Sequence, residues 1–288
     1  MKVMIVGAGV IGTIYGWALS EAGHSVFHLV RPGRSSFLTN GIAIDMMDRR
    51  KNHKKWFSGN YGIKALETLD STNSYEIVII PVKHYALEDV LKQIVPLTPN
   101  VDYLLLTQNW QGTVGIDNIL PSYRYVLGDA KSGGSFKGNK LVATIYAIDS
   151  GGIENKQNAC LKKAQDLFQS ADLRTTIQDN ILHYLWVQYA VNGGFWPPLV
   201  RAGGVKATFR NQHLLEMAFL AIRECLSVVR ARGVDLHKYP ETDIYFTGSI
   251  LKRVIGTMAI KTMFRFSKYI QRNSAHDLAD PKEIKTFY

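Results

Sequence analysis

Lys2-Val3-Met4-Ile5-Val6-Gly7-Ala8-Gly9-Val10-Ile11-Gly12 is the stretch that decides the fold. Val3 to Val6 is apolar throughout, as in a strand buried on both faces. The residues after Gly12 continue as a helical pattern to Ala22, and Gly23 stops it. Between strand and helix, Gly7 permits a tight turn, Gly9 lets the backbone approach a pyrophosphate, and Gly12 allows close packing of helix on strand. The helix N-terminus adds the amides of Val10 and Ile11 and the positive end of a dipole. Strand, glycine turn and helix in this order predict the dinucleotide-binding start of an α/β domain.

Working outward, short apolar runs alternate with helical patterns, the sequence form of βαβ units and a mostly parallel sheet. Strands are predicted at Lys2 to Val6, His24 to Val30, Glu76 to Val82 and Tyr103 to Thr107, with further β-like runs at Tyr123 to Gly128 and Leu141 to Ile148. Asn155 to Ala171 reads as a helix. From about Gln178 the apolar positions recur at helical spacing, so the expected domains are 1–177, carrying the sheet, and 178–288, all-helical. In the second, one helix is expected from Ile181 to Val191, ended by Gly193-Gly194 and Pro197-Pro198. Another covers Asn211 to Arg232, with Leu214, Leu215, Ala218, Ile222, Leu226 and Val229 on one face and Gly233 as its stop. A third covers Gly248 to Arg272.

The second strand ends in Leu29-Val30-Arg31-Pro32-Gly33-Arg34. A carboxylate at that point would accept from a ribose 2′-hydroxyl, whereas guanidinium groups suit a 2′-phosphate, which favours NADP(H) over NAD. Solvated loop arginines are the alternative. Lys83 and Asn109 follow two other predicted strands at the edge where such sheets bind ligands. Lys83 could meet cofactor or an anionic substrate, and Asn109 could bond a ligand or shape a turn.

The chain has 288 residues, 46% hydrophobic and 20% charged, a globular composition with room for two domains. Its two cysteines, Cys160 and Cys225, make no disulfide framework, and the eight histidines show no metal-ligand spacing, so neither zinc nor another metal is expected and the cytoplasm is the default compartment. The apolar start behind Lys2 imitates a signal peptide, but its glycines fit the turn better than a membrane segment. A net charge of +10 suits an acidic or phosphorylated partner. Arg49 to Lys55, followed by Trp56 and Phe57, could bind nucleic acid but reads more simply as a solvated loop. Lys131 to Lys137 lacks P-loop spacing and reads as an ordinary loop. The basic residues between Ile244 and His276, with no carboxylate among them, read as a charged helix surface.

Gly7 to Gly12, Arg31, Val82-Lys83, Gln108-Asn109 with Gly112, and Trp186 to Pro197 together resemble the ketopantoate reductase (2-dehydropantoate 2-reductase) family. The resemblance implies a Rossmann-type domain followed by a helical domain, NADPH as cofactor, and reduction of a small 2-keto acid in the cleft between them. It also implies that the family's catalytic lysine, which binds the keto acid and protonates its carbonyl oxygen, falls at Gln188. A neutral amide can orient a carbonyl but cannot release a proton at ordinary pH, and general acid catalysis is worth ~10²- to 10⁴-fold. Asn192 matches a family asparagine at i+4, while Trp196 before Pro197 replaces a second one and makes the pocket more apolar. Ser274 and Glu283 are the matches for the family's C-terminal serine and glutamate, and the chain ends at Tyr288 inside the family's last helix. Tyr184, at i−4 from Gln188, is a conceivable substitute acid, against the plainer reading of a core aromatic.

The expectation is an NADP(H)-dependent oxidoreductase acting on a 2-keto acid, with Gly7, Gly9, Val10, Ile11, Gly12, Arg31, Lys83 and Asn109 toward cofactor. Lys83, Asn192, Trp196 and Ser274 lie toward substrate, and Gln188, Asn192, Asn109 and Glu283 toward the reaction. No nucleic acid and no membrane are expected as partners, and a homodimer is. The alternatives are a diverged reductase with another carbonyl substrate and a catalytically silent NADP(H)-binding regulatory protein.

Overall fold

The computed structural model describes residues 1–50, 55–69, 74–151 and 159–246. In chain order the elements are β1 Lys2–Val6, α1 Val10–Glu21, β2 Ser25–Leu29, β3 Ile42–Asp48, β4 Lys55–Tyr61, β5 Ala65–Leu66, β6 Ile77–Ile80 and α2 His84–Ile94. Then come β7 Asp102–Leu106, α3 Val114–Asp117, β8 Tyr125–Ala130, β9 Gly133–Lys137, β10 Lys140–Ile145, β11 Ala147–Gly151, α4 Ala159–Ser170 and β12 Arg174–Ile177. α5 Ile181–Ala202, α6 Val205–Arg210, α7 Gln212–Ala231 and α8 Asp243–Phe246 complete the described chain. It divides into two compact units, Met1–Leu182 and one that starts at His183.

The first unit is α/β. Its main sheet runs β12-β11-β8-β7-β6-β1-β2-β5. From β5 to β8 every neighbouring pair is parallel, while β11 runs antiparallel to β8. The chain winds outward from β1 to β2, then returns to the other side of β1 with β6. That reversal leaves a crevice at the carboxyl ends of β1 and β6, where such sheets bind ligands. Val3, Met4 and Ile5 of β1 and all four residues of β6 are buried, as apolar runs in a two-sided parallel sheet require.

A second sheet, β4-β3-β10-β9, was not foreseen. The expected loop at Lys131 to Lys137 is largely β9, paired antiparallel with β10, and Lys55 to Phe57 of the basic stretch begin β4. A Cβ on Gly134 would come within 2.7 Å of the Ala143 Cα, so the glycine brings two strands together rather than marking a flexible loop. The basic run also has internal uses. Arg50 forks onto the Asp48 carboxylate at 2.7 Å, donates to the Ala171 carbonyl at 3.0 Å and lies over the Trp17 ring, while Phe57 packs on Trp17. Residues 51–54 lie outside those described. α1 packs on both sheets, with Ile14, Tyr15, Ala18 and Leu19 in one core with Ile44, Leu141 and Ala143.

In the second unit the described residues form helices only. The predicted stop at Gly193-Gly194 and Pro197-Pro198 does not occur, because α5 runs through both pairs to Ala202. Pro197 and Pro198 stand at i+4 from Gly193 and Gly194, whose unencumbered backbone can adjust where a proline ring meets the preceding turn. Gly194 has a packing role as well, since a Cβ there would lie 2.4 Å from the backbone nitrogen of Ile222 on α7. The predicted Asn211 helix is α7. The Asn211 side chain accepts from the Leu214 amide at 3.3 Å, and all six predicted apolar positions are buried. Past its end Gly233 takes φ +88°, its amide donating to Arg230 O and that of Val234 to Val229 O, a Schellman stop. The predicted helix from Gly248 to Arg272 lies outside the described residues, as does the start of the one predicted from Asn155.

Candidate active site

The glycine turn adopts the geometry that its residue types demand. Gly7 has φ +91°, a conformation open to glycine at little cost, and its amide donates to Leu29 O of β2 at 2.7 Å. Gly9 is the N-cap of α1, exposed, with nothing within 4 Å of where a Cβ would stand. A Cβ at Gly12 would lie 2.8 Å from Gly7 O and 3.2 Å from Ile5 Cγ2, so the helix can approach the strand only because this residue is glycine. The first turn of α1 holds no acidic side chain and Gly9 has no side chain to cap it, which leaves the amides and positive dipole end open to an anion. A pyrophosphate fits this turn.

Behind the turn lies a buried polar relay absent from the sequence reading. His28, fully buried on β2, places Nδ1 2.9 Å from Gly7 O and Nε2 3.0 Å from the Tyr61 hydroxyl of β4. Gly7 O can only accept, so Nδ1 carries the proton and the neutral ring accepts from Tyr61 through Nε2. Ser20 stands 3.3 Å from Tyr61 Oη and completes the chain. Burial pushes the His28 pKa down to about 4, against a smaller rise from the Gly7 bond, and raises Tyr61 to about 12. Gly16 leaves room for both rings, since a Cβ there would sit 2.5 Å from His28 Nε2. A lone histidine in an apolar strand gave no sign of this, because the partners are remote in sequence.

Val10 and Ile11 open α1, and Arg31, Lys83 and Asn109 stand just past the carboxyl ends of β2, β6 and β7. Strand pairing of β2 with β1, β1 with β6 and β6 with β7 gathers all of them with the glycine turn along one edge. Arg31 is exposed at the start of the loop after β2. Lys83 is the N-cap of α2 and exposed. Asn109 is buried and holds Gly112 at both ends of its amide: Nδ2 donates to Gly112 O, and Oδ1 accepts from the Gly112 amide at 3.1 Å. With Gly112 at φ +94°, this is the turn-shaping role, and one N–H and one lone pair of Asn109 are left. Next to it, the buried Thr107 hydroxyl has no hydrogen-bond partner among the described residues.

In the second unit, Tyr184, Gln188, Asn192 and Trp196 follow one another at i+4 along α5 and so share a face. Gln188 and Asn192 are half-buried. Tyr184 is 5% exposed with its ring 6.4 Å from that of Tyr239, the packing of a core aromatic. Trp196 packs with Phe195 and Phe209 around Leu199. Ser274 and Glu283 lie outside the described residues.

A doubly wound parallel sheet with an α1 N-terminus open to anions defines the fold class. The family model for ketopantoate reductase PanE/ApbA matches residues 3–122. The 2-dehydropantoate 2-reductase of Pyrococcus abyssi is 25% identical over 262 residues, which are 85% of this chain and 79% of that protein. Among solved structures, 2-dehydropantoate 2-reductase from Geobacter metallireducens superposes with a TM-score of 0.69 at 14% identity, over 100% of this chain and 97% of that one. D-mandelate dehydrogenase, solved with NADH and anilino(oxo)acetate, also gives 0.69, at 16% identity over 99% of this chain and 84% of its own. In sequence and fold, this chain resembles the ketopantoate reductase family.

Proposed function

We propose that the protein is an NADPH-dependent reductase of a 2-keto acid, of the kind that converts 2-dehydropantoate to pantoate in pantothenate biosynthesis, working in the cytoplasm. The observation that carries the reading is the open anion site at Gly9, where glycine turn, helix N-terminus and Arg31 meet along one sheet edge. The amides of Val10 and Ile11 and the dipole of α1 would hold the pyrophosphate, and Arg31 the 2′-phosphate. Lys83 would meet the ribose or the substrate carboxylate, and Asn109, with Gly112, shapes the loop beside the ring. NADPH supplies a hydride to the carbonyl carbon.

Gln188 and Asn192 would bind the keto acid through neutral amides, with Trp196 as an apolar wall. Both amides can donate to the carbonyl oxygen and fix its direction, yet neither releases a proton at neutral pH. The proton for the nascent alkoxide then comes from water or from another group at the site, such as Lys83, Ser274 or Glu283, the last two lying outside the described residues. Core packing of Tyr184 argues against its phenol as that source. The absence of an ammonium group at Gln188 favours, as a second reading, another carbonyl substrate or a silent NADP(H)-binding role.

The test is NADPH oxidation by purified protein with ketopantoate and a panel of other 2-keto acids, run beside NADPH binding by fluorescence. Turnover with ketopantoate above all others supports the first reading. Tight NADPH binding without turnover on any carbonyl compound supports the second, and no dinucleotide binding refutes both.

A further inference from the structure

The loop after β2 wraps a carboxylate that belongs to the chain itself. Glu67 follows β5, and its Oε1 accepts from the Ser35 amide at 2.9 Å and from the Ser35 hydroxyl at 2.6 Å. The Ser35 hydroxyl and amide, followed by the amides of Gly33 and Arg34, hold the Glu67 carboxyl below the usual glutamate range. Gly33 at φ +76° is followed by Arg34 at φ −93°, ψ −21°. A left-handed then right-handed pair turns successive amides to one side and makes a concave anion nest. Here the nest is filled from within. The placement is fixed by the sheet, since β5 pairs with β2 and the Val30 amide donates to Leu66 O at 2.7 Å.

That filling changes what the loop offers an incoming anion. The Ser35 amide is spent on Glu67 and the Arg34 amide on the Arg31 carbonyl at 3.0 Å, so phosphate recognition falls to the guanidinium groups that the loop presents. Arg34 lies over the Phe37 ring at 5.3 Å. Arg31, at the root of the same loop, is exposed, and its guanidinium has no carboxylate partner among the described residues. Resting on the reading of this loop as the 2′-phosphate segment, we propose that Glu67 is a positioning residue that sets the preference for NADP over NAD by holding Arg31 to Ser35 in the nest conformation. NAD has no 2′-phosphate, so its affinity does not depend on how the loop presents Arg31.

The experiment measures dissociation constants of the full chain for NADPH and NADH by nucleotide fluorescence, with thermal midpoints alongside. Wild type, Glu67→Ala, Glu67→Gln and Ser35→Ala are compared. The expected result is a wild-type preference for NADPH and a loss of roughly tenfold or more in NADPH affinity for Glu67→Ala, the size of a lost charge-assisted contact, with NADH affinity nearly unchanged. Glu67→Gln keeps an acceptor oxygen and retains most of the preference. Ser35→Ala removes the hydroxyl bond to Glu67 while leaving the amide bond, and shifts the ratio in the same direction by a smaller factor, which keeps the test intact if Glu67→Ala fails to fold. Equal loss for both nucleotides means a merely structural role and overturns the proposal. Tighter NADPH binding by Glu67→Ala also overturns it, since the carboxylate would then be opposing the phosphate. A wild type that binds neither nucleotide overturns the cofactor reading itself, a failure visible before any variant is made.

Discussion

His28 Nδ1 lies 2.9 Å from the carbonyl oxygen of Gly7, so a neutral histidine buried on β2 holds the turn on which the dinucleotide reading depends. Its proton arrangement ties stability to pH. The folded pKa of about 4 lies below the ordinary value of 6.5, so between them the unfolded chain binds the proton and the folded chain does not. His28 therefore contributes most above pH 6.5, and that contribution is lost as pH falls toward 4, by up to about 3 kcal/mol. Urea unfolding across that window checks it: His28→Gln should flatten the slope, and an unchanged slope would refute the assignment.

Gly9 and Gly12 should part company when replaced by alanine. Gly9 has φ −77° and open space around it, so Gly9→Ala should fold within about 0.5 kcal/mol of wild type while obstructing the pyrophosphate and weakening NADPH binding at least roughly tenfold. Gly12→Ala drives a Cβ to 2.8 Å from Gly7 O and should cost about 1–3 kcal/mol of stability along with the binding. Thermal melts and NADPH titrations of the two variants separate the roles.

Arg31→Ala should weaken NADPH by about 10- to 100-fold, the loss of a charge-assisted contact, and leave NADH nearly unaffected. Equal binding of NADPH by variant and wild type would return Arg31 to the solvated loop.

Gln188→Lys places an ammonium on the face shared with Asn192. If the missing proton donor limits the rate, kcat with ketopantoate should rise by ~10²-fold or more. Stopped-flow NADPH oxidation reads it directly, and no gain would mean that proton delivery is not the deficit.

Gly194→Ala tests the long helix of the second unit. A Cβ 2.4 Å from the Ile222 backbone nitrogen cannot be relieved by a rotamer change, so α5 and α7 must separate, at a cost of about 1–3 kcal/mol. A melting temperature equal to wild type would refute the close contact.

The sequence by itself determined the strand, turn and helix from Lys2 to Ala22, the parallel strands and the face of α7, because apolar runs, glycine spacing and 3.6-residue periodicity act within one element. It also placed Arg31, Lys83 and Asn109 at strand ends, where chain order alone puts them. The tertiary structure decided the rest. The second sheet, the passage of α5 through Pro197 and Pro198, the His28 relay and the Glu67 nest all depend on pairing between segments far apart in sequence. No local pattern marks His28 for Gly7 and Tyr61, or Glu67 for Ser35, because each needs one strand register to bring two remote polar groups within hydrogen-bond distance. Gly194 makes the same point for packing: in sequence it reads as a helix breaker, and only the approach of Ile222 shows that its missing side chain is what lets the helix continue beside α7.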